Sequence, residues 1–163
     1  MEGKKMDAKE YQIIKDMANN SPIQYIKMSG IRCEIAEERH CRMVMPFNET
    51  HINHVGIAYA GSEFVLAETY TAIILECTYG HGKYIPIAAK DEIEFVKPCT
   101  TDMIIDFSLT QEEADAMIAP VKERGKGRVV LKYPIQNTKG EVVANMTATV
   151  YLIPTEAAAS FMK

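Results

Sequence analysis

Glu68 stands on a helix-periodic stripe of the sequence that otherwise carries apolar and small side chains. Helical periodicity places Phe64, Ala72 and Leu75 on the same side as Glu68. A carboxylate in such surroundings must be paired, neutralised or used, because a lone buried charge costs several kcal/mol. Apolar neighbours would raise its pKa and strengthen it as a base, which makes Glu68 the first candidate catalytic group. The alternative is a structural carboxylate paired with a Lys or Arg of a neighbouring strand.

The helix that carries Glu68 opens at Tyr59-Ala60-Gly61. The first N–H groups of a helix have no partner within it and point outward at the positive end of its dipole. Such groups can stabilise negative charge on a carbonyl oxygen, and one donor of this kind is typically worth about 10²–10³ in rate. Close packing and turn geometry are an alternative explanation of Gly56, Ala60 and Gly61, and the two interpretations are compatible.

The composition predicts a single domain over residues 1–163. A hydrophobic content of 47% and a charged content of 25% are ordinary for a soluble globular protein, and the net charge of -4 argues against nucleic-acid binding. No apolar run reaches the length of a membrane span, and the first residues lack the apolar core of a signal peptide. We therefore expect a cytoplasmic protein that binds neither nucleic acid nor membrane.

The four cysteines are scattered, without a Cys-x-x-Cys pair and without a histidine at metal-ligand spacing. This pattern is typical of reduced, mostly buried thiols in a cytoplasmic protein. We expect neither a metal site nor a cofactor.

Hydrophobic periodicity divides the chain into N-terminal helices at about 6–29, a core at about 30–153 and a short C-terminal tail. A long helix is predicted from Tyr59 to about Thr78. Thr110 begins a capping-box sequence, which predicts a short helix that Pro120 disturbs. The segments with strand character are 31–47, 84–96, 102–109, 128–136 and 141–153.

The order of these elements predicts an α+β fold in which a strongly curved antiparallel sheet wraps around one long central helix. The helix is apolar on more than one side, as expected when other structure surrounds it. Such a half-open arrangement leaves a flat face of helix and sheet, which a second copy of the chain would cover. We therefore expect a homodimer.

Two stretches of the chain resemble the hotdog-fold acyl-CoA thioesterases, in particular the phenylacetyl-CoA thioesterase-like branch and related thioesterases of unknown substrate. The stretches are 88–98, a strand with a terminal proline, and Asn53-x-x-Gly56-x-x-Tyr59-Ala60-Gly61 followed by Glu68. The resemblance implies a hotdog fold and a homodimer or a dimer of dimers. It also implies hydrolysis of an acyl-CoA or acyl-carrier thioester without a metal, with coenzyme A present only as part of the substrate.

The resemblance assigns roles to individual residues. Glu68 would activate water or attack the thioester, and would reach a site that the partner subunit completes. The N–H of Ala60, with Gly61 beside it, would bind the oxyanion. Asn53 would hold the water or the thioester carbonyl, although a loop-turn or helix-cap role is the alternative for this residue.

The substrate-binding part of the motif departs from the family pattern. Gly56 and Tyr59 would line the substrate site, but Tyr59 stands where the family usually has His, and Ala60 where it usually has Gly. Ala88 stands where some members use Ser or Thr to position water. Glu63 lies on the opposite side of the helix from Glu68, and we do not expect it to take part.

A basic cluster precedes the fourth predicted strand and consists of Arg124, Lys126 and Arg128. Because coenzyme A carries phosphates, a loop with three cations is a candidate phosphate-binding segment. A solvated turn is the alternative interpretation.

Two other functions stay open. Hotdog dehydratases that act on 3-hydroxyacyl thioesters carry a loop His fourteen residues before a helix Glu, a spacing that His54 and Glu68 reproduce. Against this, the prolines of the dehydratase pattern are missing between these two residues. The third possibility is a module that binds an acyl-CoA without hydrolysing it, as a sensor or scaffold.

Overall fold

The computed structural model describes residues 6–158, in which a six-stranded antiparallel sheet curves around the long helix α3. This architecture confirms the predicted α+β fold built around one central helix. The helices are α1 (Ala8–Asn19), α2 (Gln24–Ser29), α3 (Ala60–Tyr79), α4 (Gln111–Arg124) and α5 (Thr155–Ala158). The strands are β1 (Arg32–Glu37), β2 (His40–Met45), β3 (Tyr84–Phe95), β4 (Met103–Ser108), β5 (Gly127–Gln136) and β6 (Val142–Pro154).

The strands follow the order β1-β2-β4-β5-β6-β3, and neighbouring strands are antiparallel. The two long strands β3 and β6 pair from Tyr84 opposite Pro154 to Phe95 opposite Ala144. Within the described residues β3 pairs with β6 alone, so it forms one edge of the sheet. One side of its backbone is therefore open to another strand.

The opposite edge of the sheet, β1, is covered by α1. The side-chain amide of Asn19, the last residue of α1, donates to the carbonyl oxygen of Cys33 at 3.1 Å. The N–H of Cys33 donates in return to Asn19 Oδ1 at 2.8 Å. Ile14 and Ala18 bury the inner face of α1. A covered and hydrogen-bonded edge is protected against further strand pairing, which leaves β3 as the accessible edge.

Two tyrosines fix α3 inside the sheet. The hydroxyl of the buried Tyr70 donates a hydrogen bond shared between the carbonyl oxygens of Cys41 and Phe107, each 3.1 Å away. The hydroxyl of Tyr133 on β5 donates to the carbonyl oxygen of Ala67 at 2.8 Å, and its ring centroid lies 4.8 Å from that of Tyr70. These contacts join α3 to β2, β4 and β5, and so they also fix the place of its N-terminus.

Helix α4 is longer than predicted. Its capping box at Thr110 is present, but the helix extends over 14 residues and continues through Pro120. A proline inside a helix removes one backbone donor, so the prediction of a short helix rested on a real local cost. Tertiary packing offsets that cost, because one side of α4 is buried in the protein through Ala114, Ile118 and Val121.

The stretch 31–47 forms two strands instead of one. A turn at Glu38 and Arg39 separates β1 from β2, and Arg39 adopts a left-handed backbone with φ 56°. The two strands then pair as a hairpin from Arg32 opposite Val44 to Glu37 opposite His40.

Within residues 6–158, no helix is long and apolar enough to cross a membrane. In the same part of the chain, no group of three or more His, Cys, Asp or Glu side chains could hold a metal ion. The free cysteines are buried, as predicted: Cys33, Cys41, Cys77 and Cys99.

Candidate functional site

Asn53 organises the loop that leads into α3. Its side-chain oxygen accepts hydrogen bonds from the N–H groups of Val55 at 3.0 Å and Ile57 at 3.3 Å. The N–H of Gly56 donates to the Asn53 carbonyl at 3.1 Å, in a turn where Gly56 has φ 83°, a conformation that glycine adopts without strain. Because both side-chain partners are donors, the amide oxygen faces the loop and its NH₂ group faces away from them. The turn role of Asn53 and a role as a donor to a ligand are therefore compatible.

The N-terminus of α3 presents unpaired N–H groups, as the sequence predicts. Tyr59 is the N-cap and has no side-chain capping bond, while its carbonyl accepts from the N–H groups of Ser62 at 2.8 Å and Glu63 at 3.2 Å. Within the described residues, the N–H groups of Ala60 and Gly61 have no hydrogen-bond partner. These are the donors that a helix start directs at an anion or a polarised carbonyl oxygen.

The aromatic ring of Tyr59 folds back over Gly61. A Cβ atom added at Gly61 would collide with this ring, whose Cζ atom would be only 2.9 Å away. Tyr59 is 54% exposed, so its ring forms part of the protein surface at the helix start. A side chain at Gly61 would therefore require the exposed ring of Tyr59 to move.

Asn53 and Ala60 line the same cavity, of about 310 Å³. The structure therefore brings together two of the residues selected from the sequence. Apart from these two residues, the wall is formed by Ile57, Ala58, Glu63, Phe95, Val96, Lys97, Pro98 and Cys99.

Glu63, to which the sequence assigns no role, also lines this cavity. It is 4% exposed, and its Oε2 atom has no hydrogen-bond partner among the described residues. Burial raises the pKa of Glu63 to about 7. The spacing from Ala60 could have revealed this, since residues three apart share one side of a helix.

Glu68 does not lie in a buried environment within one chain. It is exposed on the outward side of α3, near the exposed Phe64 and the half-buried Ala72, and it does not line the cavity. Partial burial, and then the negative charge of Asp91 on β3, raises the pKa of Glu68. The pKa is therefore raised in the predicted direction, although Glu68 is exposed within a single chain. The first part of this stripe, Phe64 and Glu68, is exposed within one chain, whereas Leu75 at its other end is buried.

The remaining predicted residues lie away from the cavity. Arg124 ends α4, Lys126 follows the C-cap Gly125, and Arg128 belongs to β5, so the cluster is not a long loop. Arg128 donates to the hydroxyl of Tyr151 at 2.8 Å and lies 4.9 Å from the centroid of its ring. None of the three cations lines the cavity that Asn53 and Ala60 share.

Ala88 and His51 show what this site lacks and what surrounds it. Ala88 is exposed on β3, beside a break in register between Ala88 and Lys90, and it offers no hydroxyl. His51 is buried, with Nδ1 2.9 Å from the hydroxyl oxygen of Ser62 and Nε2 2.7 Å from the carbonyl oxygen of Ser29. Because a carbonyl only accepts, Nε2 carries the proton, and His51 ties α2 to the start of α3.

The curved antiparallel sheet around one central helix matches the hotdog fold of the thioesterase superfamily. The sequence profile of a domain of unknown function, DUF4442, matches residues 13–152. The chain therefore belongs to the DUF4442 family. No curated protein matches the sequence significantly.

Solved structures confirm the resemblance at the level of the fold. The chain is similar to PA5026 from Pseudomonas aeruginosa, a protein of unknown function described as a probable thioesterase, with 26% identity, a TM-score of 0.78 and coverage of 88% of this chain and 95% of that one. Thioesterase superfamily member 2 from Mus musculus has 15% identity and a TM-score of 0.67, with coverage of 90% and 98%. A point mutant of the phenylacetic acid degradation protein PaaI from Thermus thermophilus has 13% identity and a TM-score of 0.58, with coverage of 78% and 97%.

Proposed function

We propose that this protein hydrolyses acyl thioesters, with an acyl-CoA as the substrate and two copies of the chain forming each site. The observation that carries the proposal is the cavity at the start of α3, which Asn53 and Ala60 line together and where the N–H of Ala60 is unpaired within the described residues. The similarity to PA5026, itself described as a probable thioesterase, supports the same reaction.

In the proposed reaction the thioester carbonyl oxygen accepts a hydrogen bond from the N–H of Ala60. The positive end of the α3 dipole favours the negative charge that forms on this oxygen. The side-chain NH₂ group of Asn53 donates to the attacking water or to the same carbonyl. Both donors are fixed by backbone and loop contacts before substrate arrives, so little reorganisation is needed during the reaction.

Glu68 is the proposed base. It takes a proton from water while the water oxygen attacks the carbonyl carbon, and the tetrahedral intermediate then breaks its C–S bond. The thiolate of coenzyme A leaves and is protonated in turn by the Glu68 carboxyl. In the nucleophilic alternative, Glu68 attacks the carbonyl carbon itself, and water hydrolyses the resulting anhydride.

The proposed site needs a second subunit, because within one chain Glu68 faces outward and does not line the cavity. The open edge strand β3 carries the exposed apolar side chains of Ile87 (44% exposed) and Phe95 (50%), and Val96 (52%) follows directly after it. A second copy seated on this edge would cover them and continue the sheet. Glu68 of the second copy would then complete the site. A dimer of dimers is a further proposal of the same kind.

Coenzyme A phosphates are the proposed ligands of Arg124, Lys126 and Arg128. Arg128 is held in place by Tyr151, which orients its guanidinium at the surface. An oriented guanidinium binds phosphate in a bidentate way at a low entropic cost. The cytoplasmic location expected from the sequence is part of this proposal, since acyl-CoA is an intracellular substrate.

Replacement of Glu68 tests the proposal directly. We expect Glu68→Gln to lower the release of free coenzyme A thiol from acyl-CoA by about 10²–10⁴-fold, because the base is lost while binding persists. The measurement is a spectrophotometric thiol assay over a panel of acyl chain lengths. Glu112→Gln, on the exposed face of α4, is the matched control and should keep wild-type activity. Absence of thiol release from every acyl-CoA would overturn the proposal.

The same variants separate the alternatives. A binding module would hold acyl-CoA without turnover, and Glu68→Gln would not change its affinity. A dehydratase would lose its activity in His54→Ala as completely as in Glu68→Gln. His54, like Glu68, is exposed and does not line the cavity of Asn53 and Ala60 within one chain, so the two variants are compared in the same assay.

A further inference from the structure

The cavity at the start of α3 contains a carboxyl group that the proposed reaction does not use. Glu63 lies one helical turn after Ala60, and both residues line the same space. A thioester whose carbonyl oxygen binds the N–H of Ala60 therefore places its neighbouring atoms beside the Glu63 carboxyl.

No feature of the described structure accounts for Glu63 as a structural residue. Its Oε2 atom is buried and has no hydrogen-bond partner within residues 6–158. The cation of this cavity, Lys97, pairs instead with Glu141, with Nζ 2.9 Å from Oε1. The thiol of Cys99 donates to the carbonyl oxygen of Thr101. Buried polar groups in proteins are almost always hydrogen-bonded, so an unpaired carboxyl that faces a cavity is available to a ligand.

The remaining wall of the cavity indicates which part of the substrate lies there. Ile57, Ala58, Phe95, Val96 and Pro98 line it, and these side chains are apolar. Such a wall suits an acyl chain better than the polar arm or the phosphates of coenzyme A. A few polar groups in a mostly apolar pocket are the usual way in which a site orients and selects a ligand, and among those of this wall only Glu63 has neither an assigned role nor a hydrogen-bond partner within the described residues.

We propose that Glu63 is a specificity-determining residue, which selects acyl groups that carry a hydroxyl over unsubstituted acyl chains of the same length. This inference rests on the proposed thioester hydrolysis. A hydroxyl both donates and accepts, so it pairs with the Glu63 carboxyl in its protonated and in its ionised form. An unsubstituted chain leaves the same carboxyl buried and unpaired, which is how a site built for a hydroxyl rejects the analogue that lacks it.

The test compares hexanoyl-CoA with 3-hydroxyhexanoyl-CoA and 5-hydroxyhexanoyl-CoA. For the wild-type protein we expect kcat/KM for one of the hydroxyacyl substrates to exceed that for hexanoyl-CoA by at least about 100-fold. Glu63→Leu should lower this ratio by at least about tenfold, mainly by improving turnover of hexanoyl-CoA. Glu63→Gln retains a donor and an acceptor, so it should keep most of the preference. If Glu63 had only a structural role, Glu63→Leu would change kcat/KM for hexanoyl-CoA and for the hydroxyacyl substrates by the same factor.

Binding measurements keep this inference separate from the proposed reaction. In the Glu68→Gln background, calorimetry gives the Kd of each acyl-CoA without turnover, and the hydroxyacyl substrate should again bind more tightly than hexanoyl-CoA. The ratio between the hydroxyacyl substrate and hexanoyl-CoA can be compared in proteins with Glu63 and with Glu63→Leu. If this ratio were the same in both proteins, for kcat/KM and for Kd, the role of Glu63 would be overturned but the proposed hydrolysis would not. A clear preference for 6-aminohexanoyl-CoA would overturn the assignment of a hydroxyl and identify an ammonium group instead.

Discussion

Glu63 and Glu68 lie five residues apart on one helix, yet the structure gives them different surroundings. Glu63 is buried at the wall of a cavity, and burial raises its pKa to about 7. Glu68 is exposed, and partial burial together with the negative charge of Asp91 raises its pKa. Two carboxyl groups in unlike environments can take different roles in one site. The proposed roles, base for Glu68 and substrate selection for Glu63, are consistent with this difference.

The raised pKa of Glu63 predicts a pH dependence of stability. The unfolded chain releases the Glu63 proton near the ordinary pKa of 4.5, whereas the folded protein keeps it until about 7. The folded state therefore binds more protons between these values, and the free energy of unfolding should decrease as pH rises from about 4.5 to about 7. The full effect is at most about 3 kcal/mol, since one pKa unit corresponds to about 1.4 kcal/mol.

Urea unfolding of wild-type and Glu63→Gln proteins at pH 5 and pH 7.5 checks this prediction. The stability of the wild type relative to the variant should be greater at pH 5 than at pH 7.5. Lys97 and Cys99 are the other ionisable groups in the cavity wall, and both proteins contain them, so their contributions cancel. The prediction is contradicted by a stability difference that is the same at both pH values.

At the scale of elements, the loop before α3 and the helix start form one unit. Asn53 closes the loop through Val55 and Ile57, and the loop delivers Tyr59 as the N-cap of α3. The unpaired N–H groups then follow from the geometry of any helix start. The position of this start is fixed by the contacts of Tyr70 and Tyr133 deeper in the sheet.

Two substitutions of Asn53 separate its turn role from its proposed catalytic role. Asn53→Ala removes the acceptor of two loop N–H groups and should lower the free energy of unfolding by about 1–3 kcal/mol. Asn53→Asp keeps that acceptor but loses the NH₂ donor, so its stability should stay near that of the wild type. Its kcat/KM should nevertheless fall at least about tenfold, as expected when one donor to the reacting group is lost.

Urea unfolding and the thiol assay on the same samples provide both readouts. If Asn53→Asp retained full activity, the amide would be a turn residue alone, and Ala60 would be left as the donor at this site. This result would leave the proposed role of Glu63 unaffected, because that role is tested by the ratio of kcat/KM between two acyl-CoA substrates.

At the scale of the whole molecule, the two edges of the sheet differ. Asn19 and α1 cover the edge at β1, whereas β3 is open and carries exposed apolar side chains. Glu68 also lies near this open edge, because the negative charge of Asp91 on β3 contributes to the raised pKa of Glu68. Assembly and activity should therefore depend on one surface.

A charge on the open edge should separate the proposed subunits. We expect Ile87→Lys to convert a dimer into a monomer and to abolish thiol release, while circular dichroism and urea unfolding show a folded chain. Met17→Lys, at an exposed apolar position of α1, is the control and should stay dimeric and active. Sedimentation equilibrium measures the mass. A monomeric Ile87→Lys protein with full activity would contradict a site shared between two chains.

The sequence by itself determined most of the elements and the class of the fold, because helix and strand periodicity are local patterns; the hairpin within 31–47 and the full length of α4 were exceptions. The uninterrupted apolar segment after Tyr59 predicted α3, and alternation predicted the strands that surround it. Asn53 and Ala60, selected from their spacing, also line one cavity in the structure, since a short loop and a helix start are local features. Even the resemblance to hotdog thioesterases rested on these short-range motifs, and the fold confirms it.

Only the tertiary structure decided which side of α3 is covered. Periodicity shows which residues share a side of a helix, but it does not say whether that side meets the sheet, a cavity or solvent. The curved sheet buries Glu63 at the cavity and leaves Glu68 outside, the reverse of what the apolar stripe indicated. Helix α4 is a second example. The sequence correctly indicates that Pro120 destabilises a helix locally, but the packing of α4 against the rest of the protein offsets this cost. Burial is a property of the assembled sheet and helix, and no single segment contains it.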